Sequence, residues 1–181
     1  MRSENSGAGS VIWITLVSVS SVLFSLALAC ATPFAAIAAI AGIWMSARNA
    51  FVLTFAAWLA NQIVGYLLLG YPTTWDSFAW GFAIGLAAML AVATVVLVRS
   101  ALRSEWVGLA IGFLGAFIVY EVLLLAAALV LPSGQEAFSA AVVIQIFWTN
   151  LAALSGLALL HRLALAAHLA PPLRKAVTGE L

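Results

Sequence analysis

Six apolar runs, at about residues 11–31, 33–47, 50–70, 77–98, 106–131 and 138–163, take up most of this chain, and they hold only two charged side chains, Glu121 and Arg162. A helix needs about 20 such residues to cross a hydrocarbon layer. Most of the runs reach that length; the second is short. A surface in water needs roughly a quarter of its residues charged, whereas 7% are charged here and 66% are hydrophobic. The chain therefore reads as an integral membrane protein. Within lipid every backbone N–H and C=O must be paired internally, which leaves helices and closed barrels, and these runs are too long and too rich in Ala and Leu for barrel strands. The expected fold class is all-α: a polytopic transmembrane bundle of six helices, with 1–10 as a cytoplasmic N-terminus, 11–169 as the membrane domain and 170–181 as a cytoplasmic tail.

Orientation follows from the cations. With the N-terminus inside, Arg2, Arg48, Arg99, Arg103, Arg162, Arg174 and Lys175 all fall on the cytoplasmic side, and the outer loops keep only Asp76 and Glu136. That is the asymmetry of the positive-inside rule, and it predicts a multi-pass protein of a bacterial inner membrane with both termini in the cytoplasm. Seven Lys/Arg balanced by six Asp/Glu, without a basic run, exclude a nucleic-acid binder. "ALAC" before Ala31 faintly resembles a lipoprotein cleavage box, but the first run is longer than the 7–15 residues of a signal core, so it reads as a retained helix.

Local signals place the second run. Thr32-Pro33 reads as an N-cap hydroxyl with proline at the first helical position, and Arg48-Asn49 as the end of a short helix. Gly81/Gly85 and Gly108/Gly112 have GxxxG spacing, and Ala27/Ala31 and Ala35/Ala39 are small-residue equivalents. Such spacing lets helices approach closely, either within the bundle or toward a partner.

The polar side chains inside the runs are the functional candidates. Trp58, Asn61, Gln62, Gly65 and Tyr66 share one helical face, as do Gln145, Trp148 and Thr149; Asn150 lies off that second face, and the fifth run adds Tyr120 and Glu121. An amide or carboxylate in hydrocarbon must look at protein or water. These stripes are therefore expected to face the bundle interior at one level in the outer half, around an outward-facing cavity. Its ligand-binding set is Trp58, Asn61, Gln62, Tyr66, Trp80, Tyr120, Glu121, Gln145, Trp148 and Thr149. Hydrogen-bonded helix fastening is the competing reading of the same amides. Trp13, Trp44 and Trp106 read as cytoplasmic belt residues, and Trp75 and Trp80 as outer ones. The single cysteine, Cys30, is either a small buried hydrophobe or a thiolate for a soft metal centre. His161 and His168 read as interfacial. No second titratable group accompanies Glu121, so an enzyme is not expected.

In size, helix number, termini, the spacing of "ALACA" and "FAAIAA", and the polar and aromatic cavity, the chain resembles an S component of an energy-coupling-factor vitamin transporter. The resemblance implies capture of a vitamin- or cofactor-sized molecule from outside, with no intrinsic cofactor. It also implies docking of small-residue faces (Ala27, Ala31, Ala35, Ala39) on a transmembrane scaffold served by cytoplasmic ATPases. Solitary members that bind cobalamin use one cysteine as a cobalt ligand, which makes Cys30 the corresponding candidate. The alternative function is a non-catalytic structural subunit of a larger inner-membrane complex.

Overall fold

The computed structural model describes residues 32–101, 104–132 and 138–166. It contains α1 (Phe34–Trp44), α2 (Ala47–Leu67), α3 (Trp75–Val98) continued by a 3-10 turn (Arg99–Ala101), α4 (Glu105–Ala128) and α5 (Ala140–Ala166). Among the described residues there is no strand. Four helices, α2, α3 with its 3-10 turn, α4 and α5, are long and apolar enough to cross a membrane. The expected span at 11–31 lies outside the described residues.

The second run forms a shorter helix than its sequence limits suggest, and the reason is local. Ser46, rather than Arg48-Asn49, makes the break: its hydroxyl accepts the Asn49 N–H at 3.3 Å and caps α2, so Arg48 and Asn49 belong to the first turn of the next helix. Thr32 is not the N-cap either. Pro33 holds that position, and the Thr32 hydroxyl donates to Asn61 Oδ1 at 2.7 Å.

At 11 residues, α1 is about 17 Å long, close to half of a hydrocarbon core. It occupies the centre of the bundle, with α2, α3, α4 and α5 each packed against it. Every residue from Phe34 to Gly42 is buried. Alanines pack closely here around the larger buried side chains Phe34, Ile37, Ile40 and Leu53. Ala35, Ala36, Ala38, Ala39 and Ala41 of α1 meet Ala57, Ala87, Ala91, Ala116 and Ala153 in the core, while Phe55, Leu59, Ile63, Phe82, Leu86 and Ile118 face outward. Lipid is as apolar as leucine, so nothing drives large side chains inward; close backbone approach and dispersion hold such helices together.

A half-length helix ending inside a bundle leaves orphan N–H and C=O groups where water is scarce. Both ends of α1 are closed by side chains from distant helices. Asn150 Oδ1 accepts the Ala36 N–H at 3.3 Å, with its Nδ2 tethered to the Ile146 carbonyl at 3.0 Å. At the other end Arg99 Nη1 donates to the carbonyls of Gly42 at 2.7 Å and Met45 at 2.8 Å. A cation at a helix C-terminus also complements the macrodipole.

The same end of the bundle collects other polar groups. Arg162 lies 3.8 Å from Glu105 and 4.7 Å above the Trp106 ring, and Trp44 stacks on His161 with ring centroids 4.3 Å apart. Arg48, Arg99 and Arg162, the cations among the described residues, thus gather at one end. Trp106 is exposed there, as expected of a belt residue, but Trp44 and His161 are buried against each other rather than interfacial. His168 lies outside the described residues.

Candidate functional site

The polar residues expected around one cavity separate into three groups. The first surrounds the N-terminal end of α1. Asn61, 8% exposed, accepts from Thr32; Asn150, 4% exposed, caps Ala36; and the buried Tyr120 ring stands 5.8 Å from that of Phe34. Three helices, α2, α4 and α5, bring hydrogen-bonding side chains to the point where the central helix begins. Asn150, which helical spacing places off the Gln145 face, belongs to this group. Its spacing with Leu154, Leu157 and His161, all buried, was the available signal.

The second group fastens α2 to α3. Trp58, Gln62 and Tyr66, each four residues apart, meet Gly85, Gly81 and Ser77, also four apart, in antiparallel register. The Trp58 indole N–H donates to the Gly81 carbonyl at 2.8 Å, and the Tyr66 and Ser77 hydroxyls are 3.2 Å apart. A Cβ on Gly85 would stand 2.7 Å from the Trp58 ring, and one on Gly81 would stand 2.6 Å from Gln62 Oε1. The GxxxG face is therefore filled from within the chain. Tyr66 also stacks on Phe78 with centroids 4.9 Å apart, and Trp80 donates to the Pro132 carbonyl at 3.1 Å near the opposite end from the cations.

The third group looks outward. Gln145 is exposed, Trp148 is 61% exposed, and Thr149 is half-exposed beside them. The spacing predicts that this stripe faces inward, yet the helix turns Asn150 inward instead, because Phe147, Leu154 and Leu157 are the residues α5 packs. Glu121 sits half-buried on the flank of α4 next to Tyr120, and its Oε1 is buried without a hydrogen-bond partner. The rings of Phe113, Phe117 and Phe147 fill the space between α4 and α5.

Asn61 is buried in the first group whereas Gln145 is exposed on the outer side of α5, so the ten residues are not gathered at one place; the first group is the interior polar cluster. An open groove of about 410 Å³ lies elsewhere, between α3 and α4, and its lining of Leu90, Leu97, Ile118 and Val122 is apolar. Ala35 and Ala39 are buried in the core and so pack within the bundle rather than face a scaffold. Ala27, Ala31 and Cys30 lie outside the described residues. Among the described residues no three His, Cys, Asp or Glu side chains form a metal-binding group.

No family model matches the chain, and neither the curated proteins nor the solved structures compared with it give a match. The fold and site define a class no finer than an all-α, multi-pass membrane protein with a buried half-helix at its centre.

Proposed function

We propose that the chain is the substrate-capturing subunit of a membrane transport system. It takes a vitamin- or cofactor-sized molecule from outside and passes it to the cytoplasm with a partner energising module. In this reading it has six spans in a bacterial inner membrane, with both termini cytoplasmic, and its role is binding rather than catalysis. The observation that carries the reading is the interior start of α1, where Thr32, Asn61, Asn150 and Tyr120 converge in a bundle otherwise packed with Ala, Leu and Phe. Helices interrupted inside a bundle are where many transporters place substrates, since hydrogen-bonding groups gather there at depth. The binding set proposed from the described residues is accordingly Asn61, Tyr120 and Asn150, with Glu121 at its edge. The earlier candidates Trp58, Gln62 and Tyr66 hold α2 to α3.

The resemblance to solitary cobalamin-binding S components, which use one cysteine as a cobalt ligand, makes a corrinoid the first ligand to try, with Cys30, two residues before Thr32 in sequence, as its candidate ligand. Native mass spectrometry of the protein purified in mild detergent tests this. A noncovalent adduct of cofactor mass, with corrinoid absorbance that shifts in Cys30→Ser, is the expected result. Bare polypeptide before and after incubation with cobalamin removes the corrinoid assignment.

The second reading, a non-catalytic structural subunit, draws on the outward face of α5. There an amide and a tryptophan stand exposed on a helix that belongs in lipid.

A further inference from the structure

Among the described residues Glu121 is the one carboxyl away from a helix start: Asp76 and Glu105 stand in the first turns of α3 and α4, and Glu121 lies about 24 Å beyond Glu105 along α4. Its Oε1 is buried and makes no hydrogen bond. Beside it Tyr120 is 9% exposed, and its phenol makes no hydrogen bond with a described residue. Two adjacent side chains thus hold oxygens without donors at a depth where an unpartnered polar atom is costly. The chain has no cation to bring them. No Lys, Arg or His occurs at 3–47, 49–98 or 104–160, so neither the run at 11–31 nor any helix packed against this part of α4 supplies one. Arg99 and Arg162 are engaged at the other end, on the Gly42 and Met45 carbonyls and beside Glu105. What stands near the start of α1 instead is aromatic. Phe117, one turn before Glu121, meets the Phe147 ring edge-on at 5.2 Å, and Tyr120 lies 5.8 Å from Phe34.

We propose that the molecule held at the start of α1 is an organic cation, with its positively charged nitrogen paired to the Glu121 carboxylate beside the Tyr120 ring. The inference rests on the capture reading above and adds the charge of what is captured. A carboxylate drawn out of water needs a positive charge close by, and here that charge has to arrive with the ligand. Aromatic rings next to a carboxylate are the surroundings in which an ammonium group is received, since a ring face attracts a cation. The amides of Asn61 and Asn150 carry no charge and so set the position of a ligand, whereas Glu121 selects its sign. A corrinoid has to meet the same requirement as any other candidate.

Isothermal titration calorimetry of the full chain in mild detergent tests this with benzyltrimethylammonium, a ring bearing a fixed positive charge, and with neutral benzyl alcohol. Saturable binding of the cation alone is expected. Glu121→Gln keeps the shape of the side chain without its charge and should weaken that binding at least about thirtyfold, the effect of removing one partner of a buried charge pair, while Glu105→Gln at the cytoplasmic end leaves it unchanged. No saturable binding to the wild type, equal affinity in Glu121→Gln, or equal binding of benzyl alcohol would each overturn the proposal. A second measurement needs no variant: labelling of Glu121 by dicyclohexylcarbodiimide, mapped by peptide mass, should slow when benzyltrimethylammonium is present and not with benzyl alcohol, and labelling that the cation leaves unchanged counts against it equally. The capture reading is scored separately by the copurifying adduct. An adduct that Asn61→Leu loses and Glu121→Gln retains would remove the charge and leave capture standing, whereas a wild type with no adduct strikes at capture itself.

Discussion

Arg99→Ala is expected to lower the stability of the folded bundle by about 3 kcal/mol, because one guanidinium nitrogen closes two carbonyls at the end of the central helix. Hydrogen bonds from a charged donor are worth roughly 1.5–3 kcal/mol each, and the Gly42 and Met45 oxygens, at 2.7 and 2.8 Å, lose theirs together. Removal leaves α1 with orphan carbonyls in a setting poor in water. Arg99→Lys keeps a charge at the helix C-terminus but not the planar fork, so it should recover about half of the loss. Reversible unfolding in mixed detergent micelles measures the difference. A loss below about 0.5 kcal/mol, within the range of ordinary surface changes, would show that the helix end is satisfied without Arg99.

Gly42→Leu should be worse, by more than about 3 kcal/mol, and is expected to prevent the bundle from accumulating. Even the first atom of a side chain there stands 2.5 Å from Val95 Cγ1 and 2.7 Å from Val95 Cβ, and Val95 is itself fully buried. Core overpacking by whole methylenes forces backbone shifts that commonly cost 1–3 kcal/mol and sometimes more. The paired control is Gly115→Ala, where the new Cβ would find Thr94 Cγ2 at an ordinary 3.5 Å. That change should be neutral or stabilising by about 0.5–1 kcal/mol, through helix propensity alone. If the two variants unfold alike, the close contact between α1 and α3 is not what these glycines serve.

Much of the architecture was legible because the bilayer allows few solutions. Length and hydropathy marked α2, α3, α4 and α5 to within about three residues at each end, and the cation pattern anticipated that Arg48, Arg99 and Arg162 would share one end. The start and stop of α1 were harder. Thr32-Pro33 had the form of a cap, but capping chemistry can be supplied from afar, and here Asn150 supplies it while Thr32 serves Asn61.

The site was legible only in part, for a related reason. Helical spacing says which residues share a face but not which way that face turns when both alternatives are apolar. On α5 the polar stripe Gln145, Trp148 and Thr149 and the single Asn150 competed for the interior, and the neighbours of Asn150 decided it. On α2 one continuous face proved to serve two partners, with Asn61 turned to the core and Trp58, Gln62 and Tyr66 turned to α3. GxxxG spacing at Gly81 and Gly85 announced a close contact without saying that Trp58 would fill it.

The central functional claim is that ligand binding belongs to the residues around the start of α1 and not to the outward stripe of α5. Ligand retention measured by native mass spectrometry on four matched variants tests it most directly. The account predicts that Asn61→Leu and Tyr120→Leu lose the copurifying adduct while Gln145→Leu and Trp148→Ala keep it, all four remaining helical and monodisperse. Loss from the α5 pair with retention in the other two would contradict it.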